Sequence, residues 1–461
     1  MMKTKLLLII LSLLIIISTS SFFWLNSLVV SVENGHANNS QLNHISQFGL
    51  KPMLYQRFES LSKKDHKWVN IAKALAKTDG NISFILAKYY LNNQGNREAE
   101  LWLNQAIKLK HLKARLLLAN LHIDNDKLNK AKKLLLPIKN DIFALKILIE
   151  IAITEGEELL IAQYSQLFQT LKSVYKNKDH QIFYQRLEKY SIINQVNINS
   201  TQTCEVVIAP FATNLKNLDY LENLILSPVL SPFRPYICFA PVKYISKKTL
   251  NCLHTEDEAI RCDESIWYEQ QGVIPVTHRF LAILVEKGGA NVNSGILYID
   301  RKDTEKVLLH ELAHLFGFVD EYPLPINHFR CLGKQEAMFS HNIAVLPRLY
   351  QGEKQLVRKK ILAQLPWAKY ISNTTPLVRK TAEGWVIGTM SGTRDTIGAF
   401  VAESCNGADF VSIKPLNQRT TMRYFEEPIP TLYQQLLSDN YRQFLMPSYI
   451  KNVEMALKRK Q

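Results

Sequence analysis

Glycine and proline are scarce, 17 of each in 461 residues, which excludes a collagen-like or low-complexity chain. No C-x-x-C occurs, so a zinc finger is a poor reading. No recognition motif for nucleic acid is present, and that partner is not expected. Cysteine is missing from the first 203 residues: Cys204, Cys238, Cys252, Cys262, Cys331 and Cys405 all follow. Charge is missing from Leu6 to Val30. What remains is ordinary globular composition, 47% hydrophobic and 21% charged, and a wholly disordered chain is excluded. Two or three domains are expected at this length. Lys and Arg outnumber Asp and Glu by 56 to 41, giving +15, a balance that suits an anionic partner without naming it.

The uncharged run follows Lys3 and Lys5. It reads LLLIILSLLIII, then a polar dip STSS, then FFWLNSLVV. A run of that length can span a bilayer with some tilt, and the lysines would hold its N-terminal end in the cytoplasm. Leu6–Ile17 alone has the length of a signal-peptide core, with cleavage near Ser20. No A-x-A site is present, and Phe22–Trp24 restores the apolar run. Residues 1–32 are thus a signal anchor or a signal peptide, with membrane contact through residues 6–30. Either reading exports the rest to the cell envelope, membrane-anchored or else secreted or periplasmic. An even number of cysteines fits an oxidising compartment. Six cysteines allow about 15 pairings, and Cys252 with Cys262 is the closest pair in sequence.

Residues 33–60 are polar and mixed and read as a linker. Residues 61–195 turn helical. Ala87, Ala119 and Ala152 recur at steps of 32 and 33, and Ala99, Ala131 and Ala162 at steps of 32 and 31. LAKYYLNNQGNREAELWLNQAI lines up with LANLHIDNDKLNKAKKLLLPI. Small residues at fixed points let paired helices approach closely. The pattern resembles tetratricopeptide or Sel1-like helical repeats. Such arrays form solenoids whose concave face can bind a protein partner. A plain helical bundle that spaces the next domain from the membrane accounts for the pattern equally well.

The chemistry-bearing segment is KVLLHELAHLFGFVDEY, Lys306–Tyr322. His310 and His314, four residues apart, share one face of a helix, one turn apart. Two neutral imidazoles so placed can hold one metal ion. Glu311 lies beside them and suits a general base. Gly317 can end the helix sharply, and the chain can then return Asp320 to the metal. The full pattern is H-E-x-x-H-x-x-G-x-x-D, the long metzincin motif with Asp in place of the third His. His328 and Glu321 are rival third ligands. Two ordinary histidines on an amphipathic helix are the bland alternative.

With its D-E-Y ending, this motif resembles that of the IgA-peptidase family of metzincin-type zinc metallopeptidases. EKGGANVNSGILYID upstream reads as a strand, a glycine-rich turn and a strand, as in that family. LPWAKYI, with Trp367, and VAESCNGADFVSIKPLNQRTTMRYF follow in the family's order. The resemblance covers about residues 205–435. Lys414 stands where the family has Arg before Pro415, and Thr420 and Thr421 where it has a cysteine, so its disulfide pattern is not carried over. The resemblance implies a zinc ion (Zn2+) held by His310, His314 and Asp320. It also implies an apolar methionine turn at Met422, with Met390 as rival. A tyrosine in the place of Tyr424 contacts zinc or the developing oxyanion in some metzincins, and here can equally be an ordinary surface or core residue.

The expected architecture is multidomain. It has an N-terminal membrane anchor, an all-α helical repeat array over 61–195, an α/β (α+β) metzincin-like metallopeptidase domain over 200–445, and a basic tail over 446–461. The expected function is hydrolysis of peptide bonds in a protein or peptide substrate by zinc-activated water, with Glu311 as base. The alternatives are a non-catalytic envelope scaffold built on the repeats, and an amidase for cell-wall peptides.

Overall fold

The computed structural model describes residues 2–47, 51–174, 177–193, 206–253, 260, 262–263, 265–269, 278–328, 331, 337–390 and 396–449. The chain divides into two compact units, Met1–Ile151 and Ala152–Gln461. The first is helical and the second is built around a sheet.

Among the described residues nine helices open the chain: α1 (Met2–Glu33), α2 (Asn39–Gln47), α3 (Lys51–Ser60), α4 (His66–Ala76), α5 (Gly80–Asn92), α6 (Asn96–Lys108), α7 (Leu112–Asp124), α8 (Leu128–Leu135) and α9 (Ile142–Glu155). From α5 to α8 each helix starts sixteen residues after the last, so two helices make the 32-residue step of the alanines. Gln94, Lys110 and Asp126 close α5, α6 and α7 in the left-handed region, with φ of 60°, 61° and 57°. Ala87, Ala99, Ala119 and Ala131 are fully buried where the helices meet. The spacing fails in the third copy. A 3-10 turn at Leu136–Ile138, carrying Pro137, follows the short α8, and Ala162 is exposed.

The expected membrane anchor is corrected. Among the described residues no helix is long and apolar enough to cross a membrane. The last turns of α1 are committed to protein: Leu28, Val29 and Val32 are buried in one core with Ile45, Leu54, Phe58 and Trp68. That leaves Leu6–Ile17 ahead of the STSS dip, short of the roughly 20 apolar residues a span needs. The same core overturns the linker expected over 33–60. That stretch holds α2 and α3, and α3 buries Leu54 and Phe58.

In the second unit, α10 (Glu158–Val174) and α11 (Lys178–Lys189) precede the sheet. The unit boundary lies inside α9, so these helices of the expected array belong with the sheet. Tyr190, just after α11, donates to Asp219 (2.7 Å) and Glu222 (3.0 Å) on α12 (Leu215–Leu226), and Lys189 pairs with Glu222 at 2.6 Å. The sheet runs β2 (Ile237–Phe239), β1 (Val206–Ala212), β4 (His278–Leu284), β6 (Ile296–Ile299), β5 (Asn291–Asn293), with β3 (Lys243–Tyr244) also on β1. All pairs are parallel except β5 with β6. Its central strands are buried on both faces, as a parallel sheet requires. One face packs Val207, Leu281, Ile283, Ile296 and Tyr298 around Trp267 of α14 (Ser265–Glu269) and Leu250 of α13 (Lys247–Leu250). On the other lie α12 and α15 (Glu305–Leu315). EKGGANVNSGILYID forms the β5–β6 hairpin, turned by Ser294 and Gly295, both at positive φ as a two-residue hairpin turn favours.

Two small antiparallel sheets complete the unit. One joins β8 (Leu349–Tyr350), β10 (Trp385–Ile387) and β9 (Val378–Lys380). The other joins β11 (Phe400–Val401), β12 (Phe410–Lys414) and β7 (Ala344–Pro347). In sequence, helix α16 (Lys354–Leu362) lies between β8 and β9, and α17 (Thr431–Asn440) follows β12. Disulfides join Cys252 to Cys262 and Cys331 to Cys405, and no cysteine is free among the described residues. Both bonds are compatible with an exported protein. Cys204, and Ile450–Gln461 of the basic tail, lie outside the described residues.

Candidate metal centre

Thr304 is the N-cap of helix α15, and Glu305 stands in the first turn, where an acid meets the positive end of the helix dipole. Leu308, Leu309, Leu312, Ala313 and Leu315 are buried. The helix stops in a Schellman motif. Gly317 N–H donates to the His314 carbonyl (3.0 Å) and Phe318 N–H to the Ala313 carbonyl (3.1 Å). Gly317 sits at φ +82°, and a Cβ there would stand 2.3 Å from the Cβ and carbonyl oxygen of Phe444. Only glycine fits both the conformation and the space. The chain then reverses and returns Asp320 beneath the helix.

His310 Nε2 lies 3.2 Å and His314 Nε2 3.1 Å from Asp320 Oδ1. Donor atoms of the three residues all fall within 4.8 Å of one another. A tetrahedral ion with bonds of about 2.0 Å separates its ligands by about 3.3 Å, so the two short distances match its edges. The remaining ring nitrogens fix the tautomer. His310 Nδ1 is 2.8 Å from the Thr421 carbonyl and His314 Nδ1 2.9 Å from the Phe318 carbonyl. A carbonyl only accepts, so each Nδ1 carries a proton, and in the neutral imidazole each Nε2 then turns a lone pair toward the carboxylate. Two lone pairs and an anion converging in a buried space call for a cation, and the residues fit a divalent metal. Burial opposes charge on His310, yet Asp320, Glu311 and the Thr421 carbonyl raise its pKa overall. Glu311 is buried on the same helix. Nearby, burial pushes Asp303 up to about 6, aided by the charges of Asp300 and Glu311.

The rival ligands are placed elsewhere. Glu321 is buried with its side chain spoken for: Lys414 Nζ donates to Oε2 (2.7 Å), and Asn342 Nδ2 (3.2 Å) and the Tyr433 hydroxyl donate to Oε1. Burial, then the Glu321 charge, holds the Tyr433 phenol far above its usual range, so it stays a donor. His328 lies in a turn closed on the Pro325 carbonyl, half-exposed and outside the cluster. Met422 is fully buried, and its carbonyl accepts the Glu321 N–H at 2.9 Å. Its loop therefore touches both halves of the centre, through Thr421 to His310 and through Met422 to Glu321. Met390 is 72% exposed. The Tyr424 ring lies under Arg419 and Arg423, and a hydrogen bond with Arg423 lowers its hydroxyl pKa.

Sequence reasoning misses the groups that aim the candidate ligands. Asn342 clamps Val319, accepting from its N–H (2.9 Å) and donating to its carbonyl (2.8 Å). The Thr421 and Phe318 carbonyls are backbone, and no residue type announces them. Lys414 stands out in the sequence only as a departure from a family pattern.

His341 donates its backbone N–H to the Gly317 carbonyl (3.2 Å), and its ring packs on Phe318 and Phe444. Burial pushes its imidazole from 6.5 down to about 4, against an opposing pull from Asp439. The unfolded chain therefore binds a proton below about pH 6.5 that the folded chain refuses until about pH 4. Stability falls as pH falls through that window, by up to about 3 kcal/mol from this residue. Urea midpoints of the wild type and His341→Gln, compared near neutrality and at about pH 5, read this term. The wild type loses more on acidification, and parallel losses in both proteins would contradict the assignment.

Compared with protein-family models, curated proteins and solved structures, the chain gives no significant match.

Proposed function

We propose that this chain is a zinc metallopeptidase that hydrolyses peptide bonds in protein or peptide substrates on the exported side of the cell envelope. The observation that carries the reading is the convergence of His310 Nε2, His314 Nε2 and Asp320 Oδ1 with Glu311 on the same helix. Two imidazoles and one carboxylate suit Zn2+ and leave a position open, the pattern of a catalytic site. Bound there, zinc supplies Lewis acidity toward the scissile carbonyl.

The residues do the rest. Thr421 and Phe318 hold both imidazoles in the Nδ1–H tautomer, so the Nε2 lone pairs stay available. Asp320 adds a negative charge that moderates the electrophile relative to a third histidine. Glu311 takes a proton from the attacking water and returns it to the departing amine nitrogen. Met422 floors the centre with an apolar side chain. Tyr424 serves as a contact for the substrate oxyanion in this reading.

Elemental analysis of the purified full chain tests the metal. About one zinc per chain is expected, with little or none in the His310→Ala, His314→Ala double variant. Asp320→Ala weakens zinc binding and His328→Ala leaves it unchanged. Stoichiometric zinc in the double variant would sink the reading.

A further inference from the structure

The net charge is unevenly spread. Residues 1–151 hold 21 of the 56 Lys and Arg but only 10 of the 41 Asp and Glu, which puts +11 of the +15 on the helical unit. A groove of about 930 Å3 opens in this unit, among α3, α4, α5 and α7. Phe58, Trp68 and Tyr89 floor it, and exposed Lys63, Lys64 and Lys88 rim it. Glu59 is the one acid in its lining among the described residues.

From this juxtaposition we infer that the groove docks an acidic, apolar-containing extended peptide segment of a partner protein. Charge selects an anionic occupant, since three cations surround the opening against one carboxylate. Shape and floor choose among anions. A membrane surface is flat and would leave a concave groove unfilled. Single-stranded nucleic acid needs open aromatic faces on which bases stack. Here Phe58 stacks on Trp68 at 5.1 Å, and Trp68 meets Tyr89 at 5.2 Å. Trp68 is only 2% and Phe58 9% exposed, so neither offers a base an open ring face, and Ile85 and Leu61 add aliphatic carbon to the lining. Such a floor takes Leu- or Phe-sized side chains, and the lysines take the carboxylates between them. The groove lies outside the metal centre, and the inference stands or falls independently of peptidase activity.

The test uses the full chain and fluorescein-labelled peptides alternating Glu with Leu or Phe, read by anisotropy. Control probes are the same peptides with Lys for Glu, labelled oligo-dT, and vesicles containing phosphatidylglycerol. Two charge-reversed variants are compared: Lys63→Glu, Lys64→Glu, Lys88→Glu in the groove, and Lys130→Glu, Lys132→Glu, Lys133→Glu on α8. They change net charge equally, and circular dichroism checks that both fold. The acidic peptides are expected to bind the wild type, more weakly as salt rises. The groove variant should lose about ten-fold or more in affinity, and the α8 variant less than about three-fold. Equal losses in the two variants would reduce the effect to bulk charge and overturn the inference. So would acidic peptides binding no better than basic ones, or oligo-dT or vesicles outcompeting them at the groove lysines.

Discussion

Glu311→Gln is expected to keep about one zinc per chain and to lose nearly all hydrolysis. The substitution preserves size and hydrogen-bonding shape but removes the basic carboxylate. Zinc stays because the three donor atoms belong to His310, His314 and Asp320, and their supports are backbone carbonyls and the Asn342 clamp. General acid–base catalysis contributes about a hundred- to ten-thousand-fold, and turnover should fall by that order. The pair of measurements matters more than either alone. Loss of activity with loss of metal would mean that Glu311 is structural. Activity within about two-fold of wild type would remove the general base from the mechanism altogether.

Gly317→Ala is expected to unseat the centre from a position that is not itself a ligand. An alanine would carry the left-handed strain of φ +82° and drive its Cβ into the backbone of Phe444. The first effect costs about 1–2 kcal/mol and the clash adds to it, for a total of about 3 kcal/mol or more. Gly289→Ala separates the two. Gly289 also has positive φ, +67°, but a Cβ added there would meet nothing within 4 Å. Chemical denaturation should show a small loss for Gly289→Ala and a large one for Gly317→Ala, together with lowered zinc content. A Gly317→Ala protein with the wild-type midpoint and full metal would refute the account.

The sequence makes α15 and the convergence of His310, His314 and Asp320 readable because the constraint is local. His310, His314, Gly317 and Asp320 fall within eleven residues, and a helix with a Schellman end dictates where each side chain goes. The β5–β6 hairpin is readable for the same reason. The 32-residue step is visible because buried alanines repeat, but the unit boundary inside α9 is not. That boundary depends on contacts such as Tyr190 with Asp219 and Glu222, which join residues about thirty apart without a motif. Hydropathy misjudges the N-terminal anchor because it records that residues are apolar and not what they pack against. Leu28, Val29 and Val32 satisfy their apolarity in a protein core. Lys414, Tyr433 and Asn342 stay hidden because each acts on Glu321 from a distance in sequence.

The Phe444 backbone that crowds Gly317 has a consequence in time. A chain made from its N-terminus has His310 and His314 long before Thr421 can anchor one imidazole. Lys414 and Tyr433 must arrive before Glu321 is held aside, and Phe444 before the turn at Gly317 is covered. The centre is thus completed by nearly the last residues that the structure describes. An emerging chain carries the ligands but not their supports. The supported arrangement of these side chains is therefore expected only after synthesis has passed residue 444.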